Sequence, residues 1–337
     1  MIAGGTTVQL GVLVATVGGL WLGARLLVDS VVRLARRLGL SELIIGLTIV
    51  AAGTSTPELV VSADSALKGL GNIAVGNIVG SNIYNLAFIL GVVSLVRFVP
   101  IERSLVHRDG AVLLASTLVG AGVLFDLRIL RLEGAVLATL FVAYTAYLLR
   151  TGSETAGDEP ASADAPTATD GADPATAIPT ALTERVAFRG RDAFFFVLGL
   201  AVILVSGDLM VSAASTLARG AGISESVIGG TIVAAGTSTP EFAVSLVAIR
   251  QGRLGVSVGN VVGSNVFNML GILGLSAMFR PLTFDAVMLE SVAWLVAIVV
   301  VMVAALWTGR QLSRAEGGLF TASEVGRWVL GLLGLVG

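Results

Sequence analysis

Residues 51–58 read Ala-Ala-Gly-Thr-Ser-Thr-Pro-Glu, and residues 234–241 read the same eight residues again. The likeness extends outward from both. Ser41 to Arg97 aligns without a gap to Ser224 through Arg280 at a constant offset of 183, and 30 of those 57 positions are identical. The same offset carries Leu34, Ala35 and Arg36 onto Leu217, Ala218 and Arg219, and Arg131, Glu133 and Gly134 onto Arg314, Glu316 and Gly317. Self-similarity over such a length marks one structural unit used twice.

The composition says where that unit resides. Of 337 residues, 55% are hydrophobic and 13% charged, and mean hydropathy is +0.91. A soluble domain carries about a quarter charged residues, so this is the composition of an integral membrane protein. A helix of about 20 apolar residues crosses a bilayer, and runs of that kind lie near 8–31, 42–67, 72–96, 108–125 and 130–149. A second set lies near 192–217, 225–249, 255–279, 286–308 and 315–337, the last interrupted by Glu324 and Arg327. The first run lacks the basic n-region and cleavage site of a signal peptide, which predicts that it stays as a span.

Each copy of the repeat thus holds five spans. Five is odd, so the second copy enters the membrane from the opposite side, the inverted arrangement common in secondary transporters. The predicted fold is an all-α integral membrane protein of ten transmembrane helices, with residues 1–150 and 190–337 as the two inverted five-helix repeats. Between them, residues 151–189 are rich in Ala, Thr, Pro, Gly and acids; such a stretch buries too little apolar area to order itself and reads as a disordered linker. If the N-terminus is outside, inner connections hold 14 arginines against five basic residues in outer ones. The excess of positive charge inside predicts a multi-pass plasma-membrane protein with both termini outside and the linker in the cytoplasm.

Several functions are excluded at once. There is no Cys and a single His, His107, so thiolate or multi-histidine metal sites and thiol nucleophiles cannot form. The net charge is −2 with no basic tract, against a nucleic-acid partner, and no strand–Gly-rich–helix nucleotide pattern occurs. Neither an enzyme activity, a cofactor nor an obligate protein partner is predicted; the lipid bilayer is the environment.

The repeated polar residues carry the functional reading. Pro57 and Pro240 interrupt apolar spans, where proline removes a donor and kinks the helix. The expectation is that carbonyls near Ala51 and Ala234 are freed for a cation or water. At helical spacing Ala51, Thr54 or Ser55, and Glu58 share a face, as do Ala234, Thr237 or Ser238, and Glu241. The following span places Asn77, Ser81 and Asn85 in one stripe, repeated as Asn260, Ser264 and Asn268. Gly76, Gly80, Gly259 and Gly263 stand beside these stripes as close-packing positions or as part of the site. Asn82 and Asn265 read as interhelical links or ligands.

Glu58 and Glu241 stand apart. A carboxylate at midplane costs at least about 2.5–3.5 kcal/mol, and such residues mark ion pathways. No Lys or Arg stands at a matching depth to pair with them. Two carboxylates among hydroxyls, amides and carbonyls form an all-oxygen set suited to Ca²⁺ and Na⁺, and one that fits soft transition metals poorly. Other polar groups have plainer readings. Asp64 is a surface residue or lines an entry path, Arg25 and Asp29 form a local helix pair, and Ser41-Glu42 caps a helix.

On the paired GTSTPE and GNxxGSNxxN motifs, Gly53 to Glu58 with Gly76 to Asn85 and Gly236 to Glu241 with Gly259 to Asn268, the chain resembles the calcium/cation antiporter superfamily, close to prokaryotic sodium/calcium exchangers. The resemblance implies electrogenic exchange of three Na⁺ for one Ca²⁺. It makes Glu58 and Glu241 the central Ca²⁺ ligands and shared Na⁺ ligands. Thr54, Ser55, Thr237 and Ser238 would add hydroxyls or carbonyls, Ala51 and Ala234 carbonyls, and Ser81 and Ser264 further oxygens. Asn85 and Asn268 would flank the middle. Some relatives carry Asp at the position of Asn268, a departure that argues against K⁺ co-transport. The resemblance also implies that the first and sixth spans slide across the rest. Within the same fold, Ca²⁺/H⁺ antiport is the alternative; a cation channel would use the same carboxylates, but repeats and broken helices favour a carrier.

Overall fold

The computed structural model describes residues 5–96, 99–100, 105–155, 190–221, 234–309 and 311–332. Helix α1, Thr6–Leu38, ends because Gly39 takes a left-handed φ of 64°. That turn lets the Leu40 N–H bond the Ala35 carbonyl at 3.0 Å, and Arg36 and Arg37 in the last turn face the negative end of the helix. Ser41 then starts the next helix by accepting the Ile44 N–H at 3.2 Å, as expected of a cap. This span is broken: α2, Glu42–Thr54, and α3, Thr56–Lys68, meet at a bend of 49°.

Helices α4 (Gly71–Val96), α5 (Ala111–Leu124) and α6 (Arg131–Thr155) complete the first half. The second holds α7 (Gly190–Gly220), α8 (Ala234–Thr237), α9 (Thr239–Arg250), α10 (Leu254–Phe279), α11 (Met288–Gly309) and α12 (Arg314–Leu332). Six of these helices are long and apolar enough to cross a membrane, or seven spans if the bent pair α2–α3 counts as one. The runs expected at 108–125 and 315–337 contain the helices α5 and α12, but α5 has only 14 residues and α12, described to Leu332, carries Glu324 and Arg327. The run expected at 225–249 is described from 234 onward. The linker expected over 151–189 lies outside the described residues except for its first five, which continue α6 to Thr155.

Two helices form the centre. The apolar windows of α4 and α10 are 78% and 89% buried, against 17% in α6 and 22% in α7, so the spans bearing the asparagine stripes are wrapped by the others. Close approach at the centre depends on glycine. A Cβ at Gly263 would lie against the backbone of Leu47, and one at Gly259 would sit 2.6 Å from the Leu43 carbonyl oxygen, which assigns both glycines to α10–α2 packing.

Short strands clip the helix ends. Strand β1 (Val99–Pro100) pairs antiparallel with β4 (Gln311–Leu312), and β2 (Arg128–Ile129) with β3 (Leu282–Thr283). Adding 183 to the β1 and β2 numbers yields those of β3 and β4, so each clip is the sequence image of the other. The glycine crossings follow the same rule. A Cβ at Gly317 would meet the Gly91 carbonyl oxygen at 2.7 Å, and one at Gly274 would meet that of Gly134 at 2.7 Å.

Peripheral expectations fare unevenly. Asp64 is a surface residue, paired with Lys68 at 2.6 Å with both side chains more than half exposed. Arg25 does not pair with Asp29; its guanidinium stands over the Trp21 ring, 5.6 Å from the centroid, where an apolar helix face offers a π surface one turn back.

Candidate cation site

Both copies of the repeated motif form a helix break followed at once by a new helix. Ser55 (φ −81°, ψ 14°) and Ser238 (φ −89°, ψ 9°) are the break points, and Pro57 and Pro240 lie in the first turns of α3 and α9. Proline is tolerated there because first-turn N–H groups have no helical partner. Glu58 and Glu241 thereby occupy first turns too, where the positive end of the helix dipole favours a carboxylate.

One expectation is corrected. The carbonyl deprived of its donor by Pro57 is that of Gly53, four residues back. The Ala51 carbonyl already accepts the Ser55 N–H at 3.0 Å, so the proline does not free it, and it keeps one lone pair for a further partner. Ala234 begins α8.

The two breaks meet at the centre and exchange hydrogen bonds. Ser55 donates to Glu241 Oε1 at 2.8 Å, and Ser238 donates to Glu58 Oε1, also at 2.8 Å. Thr54 donates to Asn260 Oδ1 at 3.0 Å, and Thr237 to Asn77 Oδ1 at 3.5 Å. Each copy supplies the hydroxyls that serve the other copy's carboxylate and amide. The two carboxylates repel each other.

Both glutamates are fully buried, as are Thr54, Ser55, Asn85, Ser238, Ser264 and Asn268, while Ser81, Ala51 and Thr237 are nearly so. Among the described residues, the second oxygen of each glutamate, the hydroxyls of Ser81 and Ser264, both amide atoms of Asn85 and Oδ1 of Asn268 have no hydrogen-bond partner. Buried polar atoms normally have one, so this concentration points to a ligand. Among the described residues no basic side chain pairs with Glu58 or Glu241; buried Asp109, Asp192 and Glu324 pair instead with Arg108, Arg33 and Arg327. Nor do three or more His, Cys, Asp or Glu residues come together there. A cation would rest on two carboxylates and neutral oxygens, a donor set for hard ions.

Beside this set lies a second layer that departs from symmetry. Asn82 donates to the Asn265 carbonyl at 3.3 Å and accepts from Asn268 Nδ2 at 3.0 Å, linking α4 to α10. The Asn265 amide turns back on its own helix, to the Val261 carbonyl at 2.7 Å. Both central helices loosen into π turns here, over Tyr84–Ile89 and Phe267–Ile272, again 183 apart. Such bulges occur often at functional sites.

Asn77 and Asn260, which the sequence places in the polar stripes without a role, gain one from their contacts. Asn77 donates to Ser62 at 2.9 Å and to the Glu58 carbonyl at 3.3 Å; Asn260 does the same to Ser245 at 3.0 Å and the Glu241 carbonyl at 3.3 Å. The available signal was that Ser62 and Ser245 repeat at the offset, four residues beyond each glutamate on the same face.

A model of the family described as sodium/calcium exchanger protein matches residues 8–150 and 192–323. The chain is 30% identical over 323 residues to the sodium/calcium exchanger MaX1 of Methanosarcina acetivorans, covering 88% of this chain and 90% of that one. It is 34% identical over 254 residues to the inner membrane protein YrbG of Escherichia coli, covering 75% and 74%. Among solved structures, the sodium-calcium exchanger NCX_Mj soaked with Na⁺ superposes with a TM-score of 0.80 at 26% identity, covering 98% of this chain and all of that one.

Proposed function

The chain belongs to the sodium/calcium exchanger family, and from that premise we propose that it exchanges Na⁺ for Ca²⁺ across the cell membrane by alternating access, with a midplane site built on Glu58 and Glu241. Membership makes it a multi-pass membrane cation antiporter; the coupling ion, the site and the two inverted five-helix repeats of ten spans belong to the proposal. So do the external termini and the cytoplasmic linker over 151–189.

The observation that carries it is the reciprocal pair of hydrogen bonds from Ser55 to Glu241 and from Ser238 to Glu58, each 2.8 Å long. They bring two buried carboxylates, one from each repeat, into a single oxygen-lined centre. Two uncompensated carboxylates in a low dielectric are a high-energy state, so the cation-free carrier does not switch between its inward- and outward-facing forms. One Ca²⁺ or several Na⁺ neutralise the pair and permit the switch. Every return stroke then requires a cation load, and exchange is obligatory. Thr54, Ser81, Thr237, Ser264, Asn85 and Asn268 complete the oxygen set with the carbonyls of Ala51 and Ala234. Ca²⁺ and Na⁺ are the substrates, and no cofactor takes part.

Protons would also neutralise the two carboxylates, which each keep an unpartnered oxygen, so Ca²⁺/H⁺ antiport is the second reading. Uptake of ⁴⁵Ca²⁺ into proteoliposomes under separately imposed Na⁺, K⁺ and H⁺ gradients decides between them. Uptake driven by Na⁺ alone, abolished by Glu58→Ala or Glu241→Ala, is the expected result. Uptake driven by a pH gradient without Na⁺ would establish the second reading, and full uptake in either Ala variant would sink both.

A further inference from the structure

The Asn260 side chain is fully buried, and its orientation is forced. Its Nδ2 faces two oxygens, the Ser245 hydroxyl at 3.0 Å and the Glu241 carbonyl at 3.3 Å. The Ser245 hydroxyl spends its own hydrogen on the Ser257 carbonyl at 3.4 Å and is left to accept. The amide oxygen must therefore point the other way, at Thr54 Oγ1, 3.0 Å distant. An amide oxygen only accepts, and a hydroxyl has one hydrogen and two lone pairs. The Thr54 hydrogen is thereby held on Asn260, and its lone pairs are left for other partners.

We propose that Asn260, and Asn77 in the other repeat, are positioning residues that fix the hydroxyl rotors of Thr54 and Thr237 so that lone pairs, not hydrogens, face the cation. The inference rests on the cation site proposed above. A cation is attracted by the lone pairs of a hydroxyl and repelled by its hydrogen. Released from Asn260, the Thr54 hydrogen is free to turn toward the cation. The amide holds that hydrogen while its own N–H groups brace the Glu241 carbonyl and Ser245, both on α9. One side chain thus sets the position of a carboxylate in its own repeat and the rotor of a hydroxyl in the other. Asn77 repeats the arrangement with Ser62, the Glu58 carbonyl and Thr237, but the rotor bond is 3.5 Å and the hold is correspondingly weaker.

The test is a double-mutant cycle on the purified full chain, reading ⁴⁵Ca²⁺ affinity together with Na⁺-driven uptake in proteoliposomes. Asn260→Leu and Thr54→Val are each expected to weaken Ca²⁺ affinity about tenfold. The double variant is expected to lose less than the sum of the two single losses, because the rotor hold acts through that hydroxyl. Asn77→Leu is expected to lose less than Asn260→Leu. Additive losses in the cycle, or unchanged affinity in Asn260→Leu, would overturn the assignment. If Asn260→Leu does not fold, the Asn77→Leu and Thr237→Val cycle decides in its place. Na⁺-driven uptake by the unsubstituted chain separates this outcome from the broader reading: its absence sinks the exchanger, while its presence with additive losses sinks only the rotor lock.

Discussion

Ser55 and Glu241 lie 186 positions apart in the chain, yet the serine hydroxyl donates to the glutamate Oε1 at 2.8 Å with both side chains fully buried. A hydrogen bond to a charged group contributes about 1.5–3 kcal/mol when buried. Its weight falls on the cation-free protein, in which no bound ion offsets the carboxylate charge. Ser55→Ala is therefore expected to lower the melting temperature without added cations more than at saturating Ca²⁺, widening the gap between the two. Ser238→Ala should behave alike, since it removes the symmetric bond to Glu58. Equal shifts with and without Ca²⁺ would show that these hydroxyls serve only to pack the break.

A sharper effect is expected at the glutamates themselves. Glu58→Gln or Glu241→Gln keeps shape and most hydrogen bonds but leaves one negative charge where the proposed mechanism needs two. Ca²⁺ binding is then overcompensated, and uptake of ⁴⁵Ca²⁺ at a fixed concentration is expected to fall at least a hundredfold, about 2.7 kcal/mol. The melting temperature of the cation-free protein should rise at the same time, because an uncompensated buried charge has been removed. A variant that loses transport but is destabilised without cations would contradict this.

The two glutamates were legible in sequence for a simple reason. An ionisable group in an apolar span is costly, so its presence at 58 and again at 241 is informative without any coordinates. The repeat and the helix breaks were legible on the same grounds, through identity at a fixed offset and through proline. What no linear pattern conveys is which atoms cross between the halves. The pairing of Ser55 with Glu241 depends on how the two helix breaks meet, and that of Asn82 with Asn268 on how α4 and α10 face each other; the π turns that widen those two helices have no residue signature. Asp109 escaped notice because its counterpart at the offset, Val292, is apolar; it is held by Arg108 at 2.9 Å and by the Tyr144 hydroxyl at 3.3 Å. Glu324, which made 315–337 look like a poor span, is buried because Arg327 one turn on binds it through two bonds of 2.9 and 2.7 Å.

That pair gives a control on stability rather than transport. Removing one partner of a buried ion pair costs about 3–5 kcal/mol, since the remaining charge is left unmet. Arg327 keeps 27% of its side-chain surface exposed, which places the expectation at the lower end of that range. Arg327→Ala should lower the melting temperature clearly, while Arg327→Ala with Glu324→Ala should recover much of the loss. The Ca²⁺ affinity of folded protein should be unchanged in both. A shift in affinity as large as that in Glu241→Gln would instead put this pair in the ion pathway.

Helices α1 and α7 lie against each other, and at their crossing a Cβ on Gly23 or Gly199 would come within 2.9 Å of the other's carbonyl oxygen. Towards one end, Arg33 of α1 bonds Asp192 of α7 at 2.6 Å, with Asp192 only 6% exposed and Arg33 35%. Tight backbone contact at the crossing and an ion pair beyond it hold the two helices as one body. If that body slides against the remaining helices, as the family likeness implies, loosening it should slow the stroke without altering the ion site. Arg33→Ala is expected to reduce maximal Na⁺-driven ⁴⁵Ca²⁺ uptake by about two- to tenfold, up to 1.4 kcal/mol, at unchanged Ca²⁺ half-saturation. The swapped pair, Arg33→Asp with Asp192→Arg, should restore part of the rate. An unchanged rate in Arg33→Ala, or a loss confined to half-saturation, would mean that α1 and α7 do not need this pair to move together.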